Sequence, residues 1–266
     1  MSTYSKEHKN FLKKRKREKG IIVLCQLLII VFFLALWELA ANREWINTFL
    51  SSSPSEVMKT FISLLEHNNL WNHVWITIYE TIISLFIASI TGFMVASILW
   101  WFPKVAKIID PYLTIMNSLP KVALGPLIII WIGANTNSII FMALLISTFI
   151  TIINIYNGFQ STESYYITLL KTLHASKGQI FSKLIVPSNR LTLISCLKIN
   201  ISMSLIGVIM GELLVSKEGL GYLIMYGSQV FNINLVITSV VILGMVSYIM
   251  YYIITWIEKK LNRINS

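Results

Sequence analysis

Residues 75–101 read WITIYETIISLFIASITGFMVASILWW, an unbroken apolar run with one charge, Glu80. A helix rises about 1.5 Å per residue and a bilayer's hydrocarbon core is about 30 Å thick, so roughly 20 mostly apolar residues make one span. This run is long enough to cross. Working outward, five more runs have the same character: 21–40, 113–133, 139–155 (the shortest), 191–215 and 233–257. None alternates polar and apolar residues as barrel strands do, and over such lengths a helix satisfies its own backbone. The reading is an all-α integral membrane protein with six transmembrane helices.

Composition agrees. The 266 residues are 55% hydrophobic and 13% charged, with a mean hydropathy of +0.69, which excludes an ordinary soluble domain and a disordered chain. Gly 12 and Pro 6 exclude a collagen-like repeat, and two cysteines, Cys25 and Cys196, both inside apolar runs, exclude a disulfide scaffold. The net charge of +10 sits mostly in short flanks between apolar runs, so it signals topology and not nucleic-acid binding. Lys6, Lys9, Lys13, Lys14, Arg15, Lys16, Arg17, Lys19, Lys104, Lys107, Lys171, Lys177, Lys183, Arg190, Lys259, Lys260 and Arg263 fall on one side of a six-span thread. Only Arg43, Lys59 and Lys217 fall on the other, and Lys121 and Lys198 lie within spans. By the positive-inside rule both termini and the loop 157–190 are cytoplasmic, while 41–74, the turn 134–138 and 216–232 face outward. The first run lacks a small-residue cleavage site and exceeds a signal-peptide core, so it is expected to remain as a span. The basic arm before it also suits anionic membrane lipid.

No P-loop, H-E-x-x-H or G-x-S-x-G spacing occurs, and His8, His67, His73 and His174 all lie outside the apolar runs as delimited above. No metal cluster or catalytic constellation is expected. A multi-span chain of this kind is more readily a transport path powered from elsewhere. The cytoplasmic loop is the most informative stretch. Tyr166, Leu169, Leu170 and Leu173 recur at helical spacing and predict one short helix ending near His174. Ser176 precedes Gln179 by three, a capping-box pattern, and Ile180, Phe181, Leu184 and Ile185 form a second stripe that Pro187 is expected to end. Two helices meeting at His174-Ala175-Ser176 make an elbow with Lys177 and Lys183 on its polar side. Such an elbow either presses into a groove on a cytoplasmic partner or lies flat on the bilayer.

The run from Lys171 through Gly178 to Phe181, closed by Val186-Pro187, resembles the cytoplasmic coupling loop of binding-protein-dependent ABC importer permeases. Ser53-Pro54-Ser55-Glu56-Val57, Asp110-Pro111, Leu119-Pro120-Lys121, the run 127–133, Gly211-Glu212-Leu213-Leu214 and Gly219-Leu220-Gly221-Tyr222 resemble the nitrate, sulfonate and taurine group in the same order. The resemblance implies a permease core in the second to sixth spans (53–257, with the coupling loop at 158–190), preceded by a basic arm (1–20) and an extra span with its outer linker (21–52), and followed by a cytoplasmic tail (258–266). It also implies a separate cytoplasmic ABC ATPase that binds ATP and Mg and docks on Lys171, His174, Ala175, Ser176, Lys177, Gly178 and Pro187. An extracellular or periplasmic solute-binding protein and a homodimer of permeases complete the expected assembly in the cell membrane, with no cofactor in this chain. Two departures stand out: Thr168-Leu169-Leu170 replaces the family's Glu-Ala-Ala, and His174 replaces a glycine that would permit positive φ, so the elbow is expected to be strained or differently shaped.

Charges inside spans are costly and mark functional candidates. Lys198, with Gly207, Gly211, Glu212, Gly219 and Gly221, is a candidate for the translocation pathway or its gate. Lys198 either offers a positive charge to an anionic substrate or snorkels to the cytoplasmic interface; Lys121 either faces the pathway or reaches that interface. Glu212, roughly 21 Å from Lys198 along the axis, is not its ion partner and either shapes an outer gate with the 219–221 loop or hydrogen-bonds that loop. Glu80, where the resembling family has Arg, is open to solvated, paired and transporter-specific readings. Glu38 is expected at the interface. Gly207 and Gly211 form a G-x-x-x-G pair that permits close helix approach. Pro120 and Pro126 are expected to break or kink the third span, and 219–227 to be re-entrant or interfacial. The expected activity is import of a small solute (sulfonate, taurine, nitrate or a heterocyclic vitamin precursor) by alternating access, without bond chemistry in this chain. The alternative is an ion-coupled secondary transporter, which predicts inverted repeats and midplane carboxylates, whereas the sequence has no convincing internal repeat and few midplane acids.

Overall fold

The computed structural model describes residues 6–67 and 69–264. The first five residues, Asn68 and the last two lie outside them, as do the side chains of Lys6, His8, Lys9, Lys13, Lys16, Lys19, His67 and Arg263, on which part of the charge reading rests. The described residues form thirteen α-helical segments: α1 (Lys6–Asn42), α2 (Thr48–Ser51), α3 (Pro54–His67), α4 (Leu70–Trp101), α5 (Pro103–Ser118), α6 (Gly125–Ile132), α7 (Thr136–Gln160), α8 (Ser164–Thr172), α9 (Lys177–Ile180), α10 (Val186–Ser188), α11 (Arg190–Val215), α12 (Leu220–Gln229) and α13 (Ile233–Ile264). They group into two compact units, Met1–Ser63 and Leu64–Ser266.

In the first unit α1 runs without a break from the basic arm into the apolar run, so arm and span are one helix. Its Glu38 accepts a hydrogen bond from the Ser55 backbone amide at 3.0 Å, tying the end of α1 to the start of α3.

In the second unit α4, α7 and α11 pack against one another, and small residues set how closely. A Cβ on Gly92 of α4 would stand 2.5 Å from Thr151 Cγ2 of α7. A Cβ on Gly207 of α11 would fall onto Ala143 Cα of α7, and one on Gly211 would reach within 2.9 Å of Ile139 Cα. The G-x-x-x-G pair therefore places α11 backbone directly on α7, where van der Waals contact substitutes for the hydrophobic effect that lipid cannot supply. A polar clasp lies between the same three helices: Asn200 of α11 donates to Ser89 Oγ of α4 at 3.1 Å and accepts from Thr151 Oγ1 of α7 at 2.5 Å. Thr81, Ser84 and Ser147 are also buried and donate to the carbonyl four residues earlier, so no hydroxyl among these three needs water.

Among the described residues five helices are long and apolar enough to cross a membrane, and α5 with the segment Lys121–Ile132 makes a sixth if that bent pair counts as one span. The third expected span is thus a broken one. Leu119 is extended (ψ 139°) ahead of Pro120, and the two halves meet at 81°. Pro126, expected to kink the helix, instead sits in the first turn of α6, where its missing N–H costs nothing. The expected shortest span is 25 residues long, because Asn135 caps α7 by accepting from the Asn137 and Ser138 amides and starts the helix earlier than hydropathy suggests. Residues 220–229 are a regular helix, α12.

Candidate functional site

Two clusters of functional candidates lie toward opposite ends of α4, at Thr77 and at Trp100 and Trp101, about 35 Å apart along its axis. At its N-terminal end Glu212, 1% exposed, accepts from Thr77 Oγ1 of α4 at 2.6 Å and from the Gly221 amide at 2.6 Å. Thr77 Oγ1 in turn accepts from the Leu220 amide at 2.9 Å, and the Gly219 amide donates to His73 Nδ1 at 3.0 Å. The first backbone amides of α12, unsatisfied within the helix, are thereby capped by side chains from α4 and α11. Gly219 has φ 103°, and a Cβ there would collide with the Glu212 carboxyl carbon; a Cβ on Gly221 would stand 2.7 Å from Glu212 Cβ. Both glycines are demanded by the carboxylate lying against the turn.

Glu80, one helical turn beyond Thr77, is 1% exposed and interacts with Glu212 and with the Thr136 side chain. It is buried and not solvated. Its Oε2 has no hydrogen-bond partner among the described residues. Glu80 also lines a cavity of about 600 Å³ with Tyr79, Asn135, Thr136, Lys217 and Glu218 among its other walls.

At the other end of α4 the elbow is built. α8 ends in a Schellman turn: the Ala175 amide donates to Leu170 O at 3.0 Å and the His174 amide to Lys171 O at 2.9 Å. His174 takes φ 57°, the left-handed conformation a glycine adopts without strain, so the elbow keeps its turn and pays for it in backbone conformation. Ser176 then starts α9 with a full capping box, its Oγ accepting from the Gln179 amide at 3.3 Å and Gln179 Oε1 accepting from the Ser176 amide at 2.7 Å.

Ile180 and Ile185 are buried against Ala96, Ile155, Phe159 and Cys196, with Phe181 and Leu184 packed on them. The Phe181 ring centroid lies 5.0 Å from that of Trp100, tilted against it, and 5.6 Å from that of Phe159, edge to face. Pro187 does not end this segment, contrary to expectation. Residues 181–185 widen into a π-helical turn and the helix continues to Ser188, one residue beyond Pro187, which sits in the first turn of α10 where its missing N–H is tolerated. Asn189 closes the loop by donating to Thr162 Oγ1 at 2.8 Å and Ile185 O at 2.9 Å.

Lys177 and Lys183 are both exposed, and the Lys177 ammonium also donates to the Trp101 carbonyl and lies 5.6 and 5.4 Å from the Trp100 and Trp101 rings, so it pins α9 to α4. Another expectation about the elbow is corrected: the apolar stripe of α8 is not one face. Ile167 and Leu170 pack inward while Tyr165, Tyr166, Leu169 and Leu173 stand outward, Leu173 being 69% exposed. Lys171 and His174 are also exposed, and Gly178 lies close to Trp101, with a Cβ there 3.8 Å from the ring.

Lys198 forms an ion pair with Glu258 of α13, a partner that sixty residues of intervening sequence hid. Lys121 donates to Asn117 O at 3.0 Å and lies 5.7 Å from the Phe149 ring. Sequence reasoning also missed His73, Thr77 and the Ser89–Thr151–Asn200 clasp. Hydroxyls and amides in apolar runs carry no periodic signal of what they bond.

Comparison with known proteins follows the same outline. Residues 88–263 match the family model described as "Binding-protein-dependent transport system inner membrane component". A probable ABC transporter permease protein of Haemophilus influenzae is 28% identical over 237 residues, covering 89% of this chain and 96% of that protein. The formylaminopyrimidine transport permease protein ThiX of Halalkalibacterium halodurans is 29% identical over 195 residues (73% and 77%), and the putative aliphatic sulfonates transport permease protein SsuC of Bacillus subtilis is 24% identical over 235 (88% and 85%). Among solved structures, an inward-facing conformation of the MetNI methionine ABC transporter superposes with a TM-score of 0.63 at 18% identity, over 76% of this chain and 99% of that one, a likeness of fold.

Proposed function

The chain belongs to the family of binding-protein-dependent transport system inner membrane components and is a transport subunit, not an enzyme; on that premise we propose that two copies of it line one import pathway, driven by a cytoplasmic ATPase seated on the 164–188 elbow. ATP and Mg belong to that ATPase. An external solute-binding protein delivers the solute at the Glu212 end, which makes both termini and the elbow cytoplasmic, in line with the charge bias. The solute is a small organic molecule, and the names of the relatives point to sulfonates and to an amino-substituted pyrimidine.

The observation that carries this reading is the division of labour in the elbow. Its second half is bolted to α4, α7 and α11 through Lys177, Ile180, Phe181 and Ile185, while its first half turns Tyr165, Tyr166, Leu169 and Leu173 outward. An apolar outer face on a segment rigidly joined to three spans is a lever: force applied to it reaches the bundle. Glu212 and Gly219 to Gly221, at the far end of the same helices, form the outer gate.

The test is purification of the tagged chain in mild detergent with its ATPase scored by mass spectrometry and by ATP hydrolysis. Leu173→Glu should abolish recovery of the ATPase while leaving thermal unfolding of the permease unchanged. Gly178→Trp, which drives a ring into Trp101, should retain the ATPase and uncouple hydrolysis from solute. Full recovery and coupling in both variants would remove the elbow from the mechanism.

A further inference from the structure

The turn that leads into α12 is fastened to α4 by a bond that only a neutral histidine makes. The Gly219 amide donates to His73 Nδ1 at 3.0 Å, so that nitrogen carries a lone pair and the ring's N–H is on Nε2. Gly219 is buried and held at φ 103°, whereas His73, in the first turn of α4, is partly exposed. The His73 ring stacks on Tyr222 of α12, with centroids 6.0 Å apart. Glu218, exposed and next to Gly219 in the chain, is near enough for its charge to act on the ring, and Lys217 precedes it. The remaining acids of this end stand further off. Glu212 of α11 joins the network through Thr77, one turn along α4 from His73, and Glu80 lies a turn beyond Thr77.

Protonation turns the acceptor into a donor. Two N–H groups then face each other, the buried Gly219 amide loses its partner, and the imidazolium is drawn to the Glu218 carboxylate instead. His73 thus has two exclusive partners in one turn: the backbone at Gly219 when neutral and the side chain of Glu218 when charged. The fastened form binds the fewer protons, so it gains stability as pH rises and loses it as pH falls.

We propose that His73 is a pH-sensitive latch on the 216–221 turn, closed while the ring is neutral and released by acid in the compartment that this end of α4 faces. The proposal rests on the reading of the Glu212 end as the outer gate and adds a control to it: the gate is firmest in neutral medium and loosens in acid.

The test is amide hydrogen exchange on the full chain in lipid nanodiscs, resolved to Gly219 by mass spectrometry with electron-transfer fragmentation. Rates are expressed as protection relative to unstructured peptide at the same pH, which removes the intrinsic pH dependence of exchange. Protection at Gly219 should fall about tenfold as the pH is lowered from about 7.5 to about 5.5, through the ordinary histidine range. Both of two variants should be flat over that interval. His73→Asn, whose Oδ1 accepts at any pH, should stay near the wild-type level at neutral pH; His73→Phe, which keeps a ring against Tyr222 and has no acceptor, should stay near the acid level. Protection across α7 in the same spectra shows that each variant is folded. No step in the wild type, high protection in His73→Phe, or a step that survives in His73→Asn and so belongs to Glu212 or Glu80, would each overturn the latch. Exchange needs neither ATPase nor solute, so failure to recover the ATPase would strike the importer reading and leave this measurement standing.

Discussion

A single methylene decides the geometry where Glu212 meets the 219–221 turn. Gly219 combines a φ of 103° with a carboxyl group where its Cβ would lie, so Gly219→Ala meets both backbone strain and overlap. We expect it to cost about 2–4 kcal/mol, read as a fall in the thermal midpoint of the detergent-purified protein, with loss of transport. Glu212→Ala should cost about 1–3 kcal/mol, because it strands the buried Gly221 amide. His174 works in the opposite sense. It holds a left-handed turn that glycine adopts freely, so His174→Gly should stabilise the elbow by about 1 kcal/mol and slow hydrogen exchange at Ala175, whose amide closes the Schellman turn. An unaltered exchange rate would mean that neighbouring packing already absorbs the strain. At this scale the sequence could single out Glu212, Gly219, Gly221 and His174 by resemblance. It could not show that Thr77 and His73 complete the same network, because partners more than 130 residues apart share no local pattern.

Helices were legible where hydropathy and proline chemistry agree, and misread where a second influence shares the segment. The break at Pro120 follows from the proline and its extended predecessor. The capping box at Ser176 follows from residue spacing alone. In α8, however, Tyr165, Tyr166, Ile167, Leu169, Leu170 and Leu173 are apolar almost all the way round, so periodicity gave one stripe where packing uses Ile167 and Leu170 and leaves the others outside. The contact of Lys177 with α4 was hidden for a related reason: a cation resting on Trp100 and Trp101 depends on where α4 ends, which the loop's own sequence does not encode. Close packing of whole helices gives a sharper test. Gly207→Ala puts its methyl on the Ala143 backbone and should force α11 and α7 apart, costing about 1–3 kcal/mol. Gly244→Ala meets nothing within 4 Å and should cause no loss, since alanine also favours the helix. Matched unfolding curves for the two variants would refute the close-packed interface.

For the whole molecule the thread through the membrane is the property from which direction of transport follows. Seventeen of the 22 Lys and Arg lie on the side assigned to the cytoplasm, and the two ends of α4 separate the 164–188 elbow from the Glu212 turn by more than a hydrocarbon core. An ATPase on the elbow and a binding protein at the Glu212 end are compatible only if those ends face opposite compartments. Single cysteines placed in a Cys25→Ser, Cys196→Ser background examine this directly. Lys217→Cys, beside the Glu80 cavity, should react with a membrane-impermeant maleimide in intact spheroplasts. Thr172→Cys, on the exposed side of α8, should react only after permeabilisation. Labelling of both from one side would place elbow and acid network in the same compartment, and the lever joining them could then not couple ATP hydrolysis inside to solute capture outside. Labelling in the reverse order would preserve the bundle but invert the assignment of arm, elbow and tail, against a charge asymmetry that insertion rarely violates.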